Sequence, residues 1–151
     1  MTFQKAEFIA NRTNLEPMLG FIEQQLQTLP LTEQERFKLL IASEEIAVNI
    51  INFAYPESNG LIWIELAHYD NQFSLTFQDE GEPFNPLLHI EGDLTLPAES
   101  REPGGLGIVM IKQLMEQVVY EFKDGKNILT LIKPLPTSHT GLSAGTSKVS
   151  Q

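Results

Sequence analysis

The sequence contains no cysteine, and it carries only ten lysine and arginine residues against twenty aspartates and glutamates. The first absence excludes disulfides and any thiolate metal site. The second leaves a formal net charge of −10, which opposes non-specific binding to nucleic acid and to anionic membranes, since both need Lys and Arg. No apolar run approaches the ~20 residues that span a bilayer, and the opening MTFQKAEF lacks the basic-then-apolar layout of a secretion signal. The expectation is a cytoplasmic protein with no direct nucleic-acid partner and no membrane. The acidity itself reads either as plain solubility or as preference for a partner with a basic face.

What is present suits one domain. A chain of 151 residues, 42% of them hydrophobic, is long enough to bury a sizeable core. Phe3 to Ile9 reads as a short edge strand. Thr13-Asn14-Leu15-Glu16 resembles a capping box and opens a helix whose Leu15, Met18, Leu19, Ile22 and Leu26 recur at helical spacing. Thr32-Glu33-Gln34-Glu35 repeats the signature and starts a long helix reaching about Ala54, where Pro56 stops it. Ser58-Asn59-Gly60 reads as a turn.

Leu61–Ala67 and Gln72–Asp79 read as strands joined by a hairpin at Tyr69-Asp70-Asn71. Residues 80 to about 103 show no periodicity and hold several Gly and Pro residues, which suits a functional lid or a disordered loop. A helix is expected from Gly107 to about Gln117. A second hairpin, Val118–Phe122 with Asn127–Lys133, turns at Asp124-Gly125. Residues 1–135 are then the folded domain, and 136–151 a Ser/Thr/Gly-rich tail expected to be disordered. Helices with antiparallel hairpins, rather than alternating β-α units, point to an α+β two-layer sandwich. Its sheet is expected to be mixed, mostly antiparallel, and covered on one face by helices.

Three segments carry chemistry. On the long helix, apolar residues surround most of the circumference, as in a helix buried nearly all round. A narrow polar stripe of Lys38, Glu45, Asn49 and Asn52 interrupts them. Glu45 and Asn49 lie one turn apart on one face. They are a capped or hydrogen-bonded core pair, a helix edge open to water, or a functional pair, with the Asn oxygen on Mg²⁺ and the Glu as general base. Glu44 falls on the apolar side of this wheel, where a salt bridge would account for it.

In the second segment Phe73, Leu75, Phe77 and Asp79 share one strand face. The aspartate therefore points inward at the strand end, unless it turns out to cap the next turn. Pointing in, it needs a donor, and the exocyclic amino group of adenine is one. Gly81 would let backbone pass close to a flat ligand, while Pro83 and Pro86 stiffen the exit. In the third segment Gly104-Gly105-Leu106-Gly107 precedes a helix whose free N–H groups suit phosphate; the other reading is a lid hinge. Arg101, just upstream, is either a terminal-phosphate ligand or a surface charge. The cluster is neither a Walker loop nor a dinucleotide fingerprint.

Together these segments resemble the asparagine box and the two glycine boxes of the GHKL-type ATPases. The resemblance is nearest to the small bacterial anti-sigma-factor serine/threonine kinases, over about Phe3 to Leu135. It implies ATP and Mg²⁺ as cofactors, Glu45 as the base that activates a substrate hydroxyl, and Asn49 as the metal ligand. It further implies Asp79 on adenine with Gly81 and Pro83 beside it, and Gly104, Gly105, Leu106 and Gly107 around the phosphates with Arg101 nearby. Such kinases sequester a sigma factor and phosphorylate a small STAS-type antagonist, and they are typically homodimers. A non-catalytic, ATP-gated binding module of the same fold is the alternative. Phe53 and Ala54 depart from the His and Gly that many relatives carry, and the paired threonines found in some lids are absent. The three histidines, His68, His89 and His139, lie neither at metal-site spacing nor on a dimerisation-type helix.

Overall fold

The computed structural model describes residues 1–55, 60–87 and 106–136, apart from the side chains of Leu106 and Ile108. Five strands form one sheet: β1 (Thr2–Ile9), β2 (Leu61–His68), β3 (Gln72–Asp79), β4 (Gln117–Lys123) and β5 (Lys126–Pro134). Their spatial order is β1-β2-β3-β5-β4, and every ladder among the described residues is antiparallel. The expected α+β sandwich is therefore present, with its sheet wholly antiparallel where described. β1 is the edge strand that the sequence predicts.

Alternation builds the core. Ile62, Ile64 and Leu66 of β2, Phe73, Leu75 and Phe77 of β3, and Leu129 and Leu131 of β5 are all buried, because every second residue of a strand points to the same face. Helices α1 (Leu15–Leu26) and α2 (Glu33–Asn49) cover them through Met18, Ile22, Leu26, Leu39, Ala42, Ile46 and Ala47. A third helix, α3 (Leu106–Leu114), adds Ile111. None of the described helices is long and apolar enough to cross a membrane.

The helix starts show which polar signals act. Thr32 accepts from the Glu35 amide at 3.0 Å, and Glu35 accepts from the Thr32 amide at 2.9 Å, a complete capping box at the head of α2. At α1 the expected box at Thr13 does not form. A 3₁₀ turn at Arg12–Asn14 precedes the helix, and Asn11 caps it by accepting from the Asn14 amide at 3.1 Å; the Thr13 hydroxyl donates to Asn11 instead.

Three other expectations need correction. The glycine-led helix ends at Leu114, and Gln117 belongs to β4. Helix α2 is not buried all round: Phe37 and Ile41 are exposed with Glu44, and burial is confined to the stripe through Leu39, Ala42, Ser43, Ile46 and Ala47. Glu44 thus faces solvent. Beyond Asn49 the chain continues as a π-helical turn, Ile50–Ala54, which sequence periodicity does not signal. The second hairpin turns as expected, with both Asp124 (φ 54°) and Gly125 (φ 78°) in the left-handed region that two-residue hairpin loops require. Ser58 and Asn59, His89, the lid beyond Leu87, Arg101, Gly104, Gly105 and the tail from 137 lie outside the described residues.

Candidate functional site

The end of α2, its π-turn and the inward faces of β3, β4 and β5 enclose an open cleft of about 210 Å³. Its walls are Ile46, Ile50, Phe77 and Leu129, and the segment Glu82–Phe84 forms its rim. Asn49, Asp79, Tyr120 and Asn127 supply polar groups. An apolar slot with a few convergent polar atoms suits a flat heterocycle better than a sugar or a peptide.

Asp79 ends β3 on the core face, as alternation predicts, and is only 5% exposed. Its donors come from the protein itself. The Gly81 amide donates to Oδ1 at 2.8 Å, and Asn127 Nδ2 donates to the same oxygen at 2.9 Å. Burial pushes the Asp79 carboxyl above its ordinary range, and these two hydrogen bonds pull it partly back. Among the described residues no donor is given to Oδ2, so the carboxylate keeps one acceptor in a cleft that it lines.

The protein's own packing leaves no room for a side chain at Gly81. A Cβ there would lie 2.5 Å from the Ala54 carbonyl oxygen and 2.6 Å from the Ala54 Cβ. The close neighbour on the protein side is thus the π-turn. Tyr55, next to Ala54, donates its hydroxyl to the Leu61 carbonyl at 2.7 Å and accepts from the Glu80 amide. This hydroxyl ties the π-turn to the start of β2 and the end of β3, and burial raises its pKa.

At the other end of the site Glu45 is half-buried on α2, and its Oε1 accepts from the Gly107 amide at 2.8 Å across 62 residues of chain. Desolvation raises the Glu45 carboxyl and this hydrogen bond lowers it again. Asn49, one turn further on, lines the cleft, and its side chain makes no capping hydrogen bond. The described residues contain no cluster of three or more His, Asp or Glu. A single amide oxygen fits Mg²⁺, which binds through few protein oxygens, keeps several waters and takes the rest from substrate phosphates.

The structure thus brings Asn49, Asp79 and Pro83 to one cleft. Gly81 sits against its rim, and Glu45 joins Gly107 at the head of α3. Leu106 opens that helix. Sequence reasoning missed Asn127, Tyr120 and Tyr55. A signal existed for Asn127, because it shares a strand face with the buried Leu129 and Leu131 and is therefore an amide on an apolar face. Tyr120 and Tyr55 gave none, because only register and the π-turn bring them to the site.

The chain is similar to several known proteins. Serine/threonine-protein kinase BtrW of Bordetella bronchiseptica is 29% identical over 106 residues, spanning 70% of this chain and 71% of the relative. Serine-protein kinase RsbW of Halalkalibacterium halodurans is 27% identical over 93 residues, or 59% of this chain and 56% of the relative. The match thus spans little more than half of that second protein. Among solved structures, the RsbU and RsbW domains of a Mycobacterium tuberculosis protein superimpose with a TM-score of 0.62 at 15% identity, covering 91% of this chain and 34% of that one. The mycobacterial sensor histidine kinase MprB gives 0.54 at 13% identity, covering 90% and 99%. At such identities the two structures establish the fold alone. The family model described as histidine kinase-like ATPase domain matches residues 8–133, so the chain belongs to the histidine kinase-like ATPase domain family.

Proposed function

We propose that this protein binds ATP with Mg²⁺ and transfers its γ-phosphoryl group to a serine or threonine hydroxyl of a partner protein. The partner class is a STAS-type antagonist of an anti-sigma factor, and the chain itself acts as that anti-sigma factor, as a homodimer, in a partner-switching circuit. The observation that carries the reading is the pairing of ends. Asp79 offers a carboxylate oxygen inside an apolar slot, and Asn49 leads from that slot toward Glu45 and the Gly107 amide at the head of α3. The kinases named above supply the reaction class.

Each residue has a role in this reading. Asp79 accepts from the adenine amino group. Asn49 holds the metal, which when bound neutralises phosphate charge. The Gly107 N–H donates to a phosphate oxygen. Glu45, its pKa raised by burial, takes the proton from the attacking hydroxyl while the phosphoryl group moves to that oxygen and ADP departs. Positioning and charge stabilisation supply most of the rate in such transfers. The Gly107 amide has one hydrogen, and Glu45 holds it here. An arriving phosphate oxygen therefore displaces Glu45 and frees it to act as base.

Titration calorimetry of ATP and Mg²⁺ tests the reading. Wild type binds, Asp79→Asn abolishes binding, and Asn49→Ala weakens it or makes it independent of Mg²⁺. Absence of binding by wild type at millimolar nucleotide refutes the reading. A second reading, a gated module without catalysis, draws on the same Glu45–Gly107 hydrogen bond, since a carboxylate that stayed there would be no base. It predicts tight ATP binding with no transfer to any antagonist protein.

A further inference from the structure

We propose that Asn127 is the positioning residue at the base-recognition end of the cleft. It fixes the Asp79 carboxylate so that a single oxygen remains to read the 6-amino group of a purine, and Tyr120 holds Asn127 in place. This rests on the adenine-nucleotide reading above.

Asn127 is 7% exposed and sits directly opposite Asp79 in the β3–β5 ladder. Its amide is fully engaged. Nδ2 donates to Asp79 Oδ1 at 2.9 Å, to the Glu82 carbonyl at 2.9 Å and to the Gly81 carbonyl at 3.3 Å. Oδ1 accepts from the Phe84 amide at 3.0 Å and from the Tyr120 hydroxyl. Backbone carbonyls only accept and backbone amides only donate, so these partners allow one orientation of the side-chain amide.

Two consequences follow from that orientation. Asp79 Oδ1 faces a donor from Asn127 and another from Gly81, which directs acceptor capacity at Oδ2 toward the cleft. The rim Gly81–Phe84 is held to β5 through the same amide, so the base slot and its reading group are set by one side chain. An acceptor in that place favours a purine bearing an amino group at position 6 and disfavours one bearing a carbonyl, whose lone pairs would meet the carboxylate.

A chemical double-mutant cycle separates positioning from simple support of the fold. The affinities of ATP and of purine riboside 5′-triphosphate, which lacks only the 6-amino group, are measured with Mg²⁺ on wild type, Asn127→Leu and Tyr120→Phe. Melting curves are recorded alongside. Wild type is expected to prefer ATP by about tenfold or more, the worth of one hydrogen bond to a charged group. Asn127→Leu is expected to reduce that preference to about threefold or less, and Tyr120→Phe to reduce it partway. Equal weakening of both nucleotides in both variants overturns the proposal, because a merely supporting residue would act on both alike. If Asn127→Leu does not fold, an unchanged ratio in Tyr120→Phe overturns it. A wild type that binds both nucleotides equally overturns this proposal alone, whereas one that binds neither overturns the adenine-nucleotide reading and this proposal with it.

Discussion

Gly107→Ala is the most informative single change, because the structure sets two opposing effects at that position. An added Cβ would stand 2.5 Å from Glu45 Oε1 and 3.2 Å from the Ala42 Cα. The carboxylate end is flexible and can retreat, but its hydrogen bond from the Gly107 amide, 2.8 Å long, is then stretched or lost. A hydrogen bond to a half-exposed carboxylate contributes about 1 kcal/mol. Against this, alanine favours a helix over glycine by up to about 1 kcal/mol, and Gly107 lies inside α3. The two nearly cancel, so the melting temperature is expected to move by no more than about 3–5 °C in either direction.

Function does not cancel. The Gly107 hydrogen bond is the one influence that lowers the Glu45 carboxyl against its desolvation, so its loss pushes that group further up. The acid limb of the pH profile of kcat/KM for ATP, which reports the free enzyme before phosphate displaces Glu45, should therefore move to higher pH, since a base with a raised pKa is protonated over more of the acid range. The new methyl group also crowds the amide offered to phosphate, and ATP affinity should fall by about tenfold, the worth of one charge-assisted bond. Transfer assays from pH 5 to 9 and ATP titrations check both points. An unmoved acid limb with unchanged affinity would refute the argument. So would a melting-temperature loss well beyond 5 °C, since the contact would then be chiefly scaffold.

Three further outcomes are expected. Glu45→Gln keeps an acceptor for the Gly107 amide and removes a desolvated charge, so it should melt at or slightly above wild type while transfer falls by about 10²–10⁴-fold, read by radiolabel transfer beside ATP titration. Asp79 has a raised pKa in the fold, so the stability tied to its neutral form is fully present below the unfolded value and is lost as pH rises through the folded one; Asp79→Asn should abolish that fall in denaturant titrations across the window just above the usual aspartate range. Thr32→Ala breaks the capping box at the head of α2 and should cost about 1 kcal/mol by urea unfolding; Glu35, held low first by the Thr32 backbone amide, which alanine keeps, and also by Lys133 at 3.3 Å, gives stability present above its unfolded pKa and lost as pH falls through the folded one, so that loss should largely persist in the variant.

Much of the fold was legible because it rests on local rules. Alternation marked Phe73, Leu75, Phe77 and Asp79 as one face, and Asp124-Gly125 marked a hairpin. Thr32 with Glu35 marked the head of α2, and each of these patterns is short in sequence. What stayed hidden depends on distance in sequence. Burial of α2 is decided by where α1, α3 and the sheet lie, so a wheel of apolar residues could not show that Phe37 and Ile41 stay exposed. The need for glycine at 81 arises from Ala54 in a π-turn that periodicity does not announce. Asn127 could be placed on an inward face, but its bond to Asp79 requires the β3–β5 register. The same limit hid the bond between Glu45 and Gly107, because a helix wheel shows which face a carboxylate occupies and not what it meets there.

In the proposed reading the base end and the phosphate end of the site meet a nucleotide in different ways, and the difference lies in how many hydrogen bonds each group can still make. At the base end Asp79 spends one oxygen on Gly81 and Asn127 and retains the other, so recognition of an amino group adds a bond and removes none. At the phosphate end the Gly107 N–H has a single hydrogen already given to Glu45, so contact with phosphate exchanges one anion for another. The exchange costs the amide little, because both partners are charged acceptors. It releases a carboxylate whose burial favours protonation, and so leaves a stronger base beside the phosphoryl group. Adenosine alone should then bind without disturbing Glu45, whereas a triphosphate should bind and activate in one event.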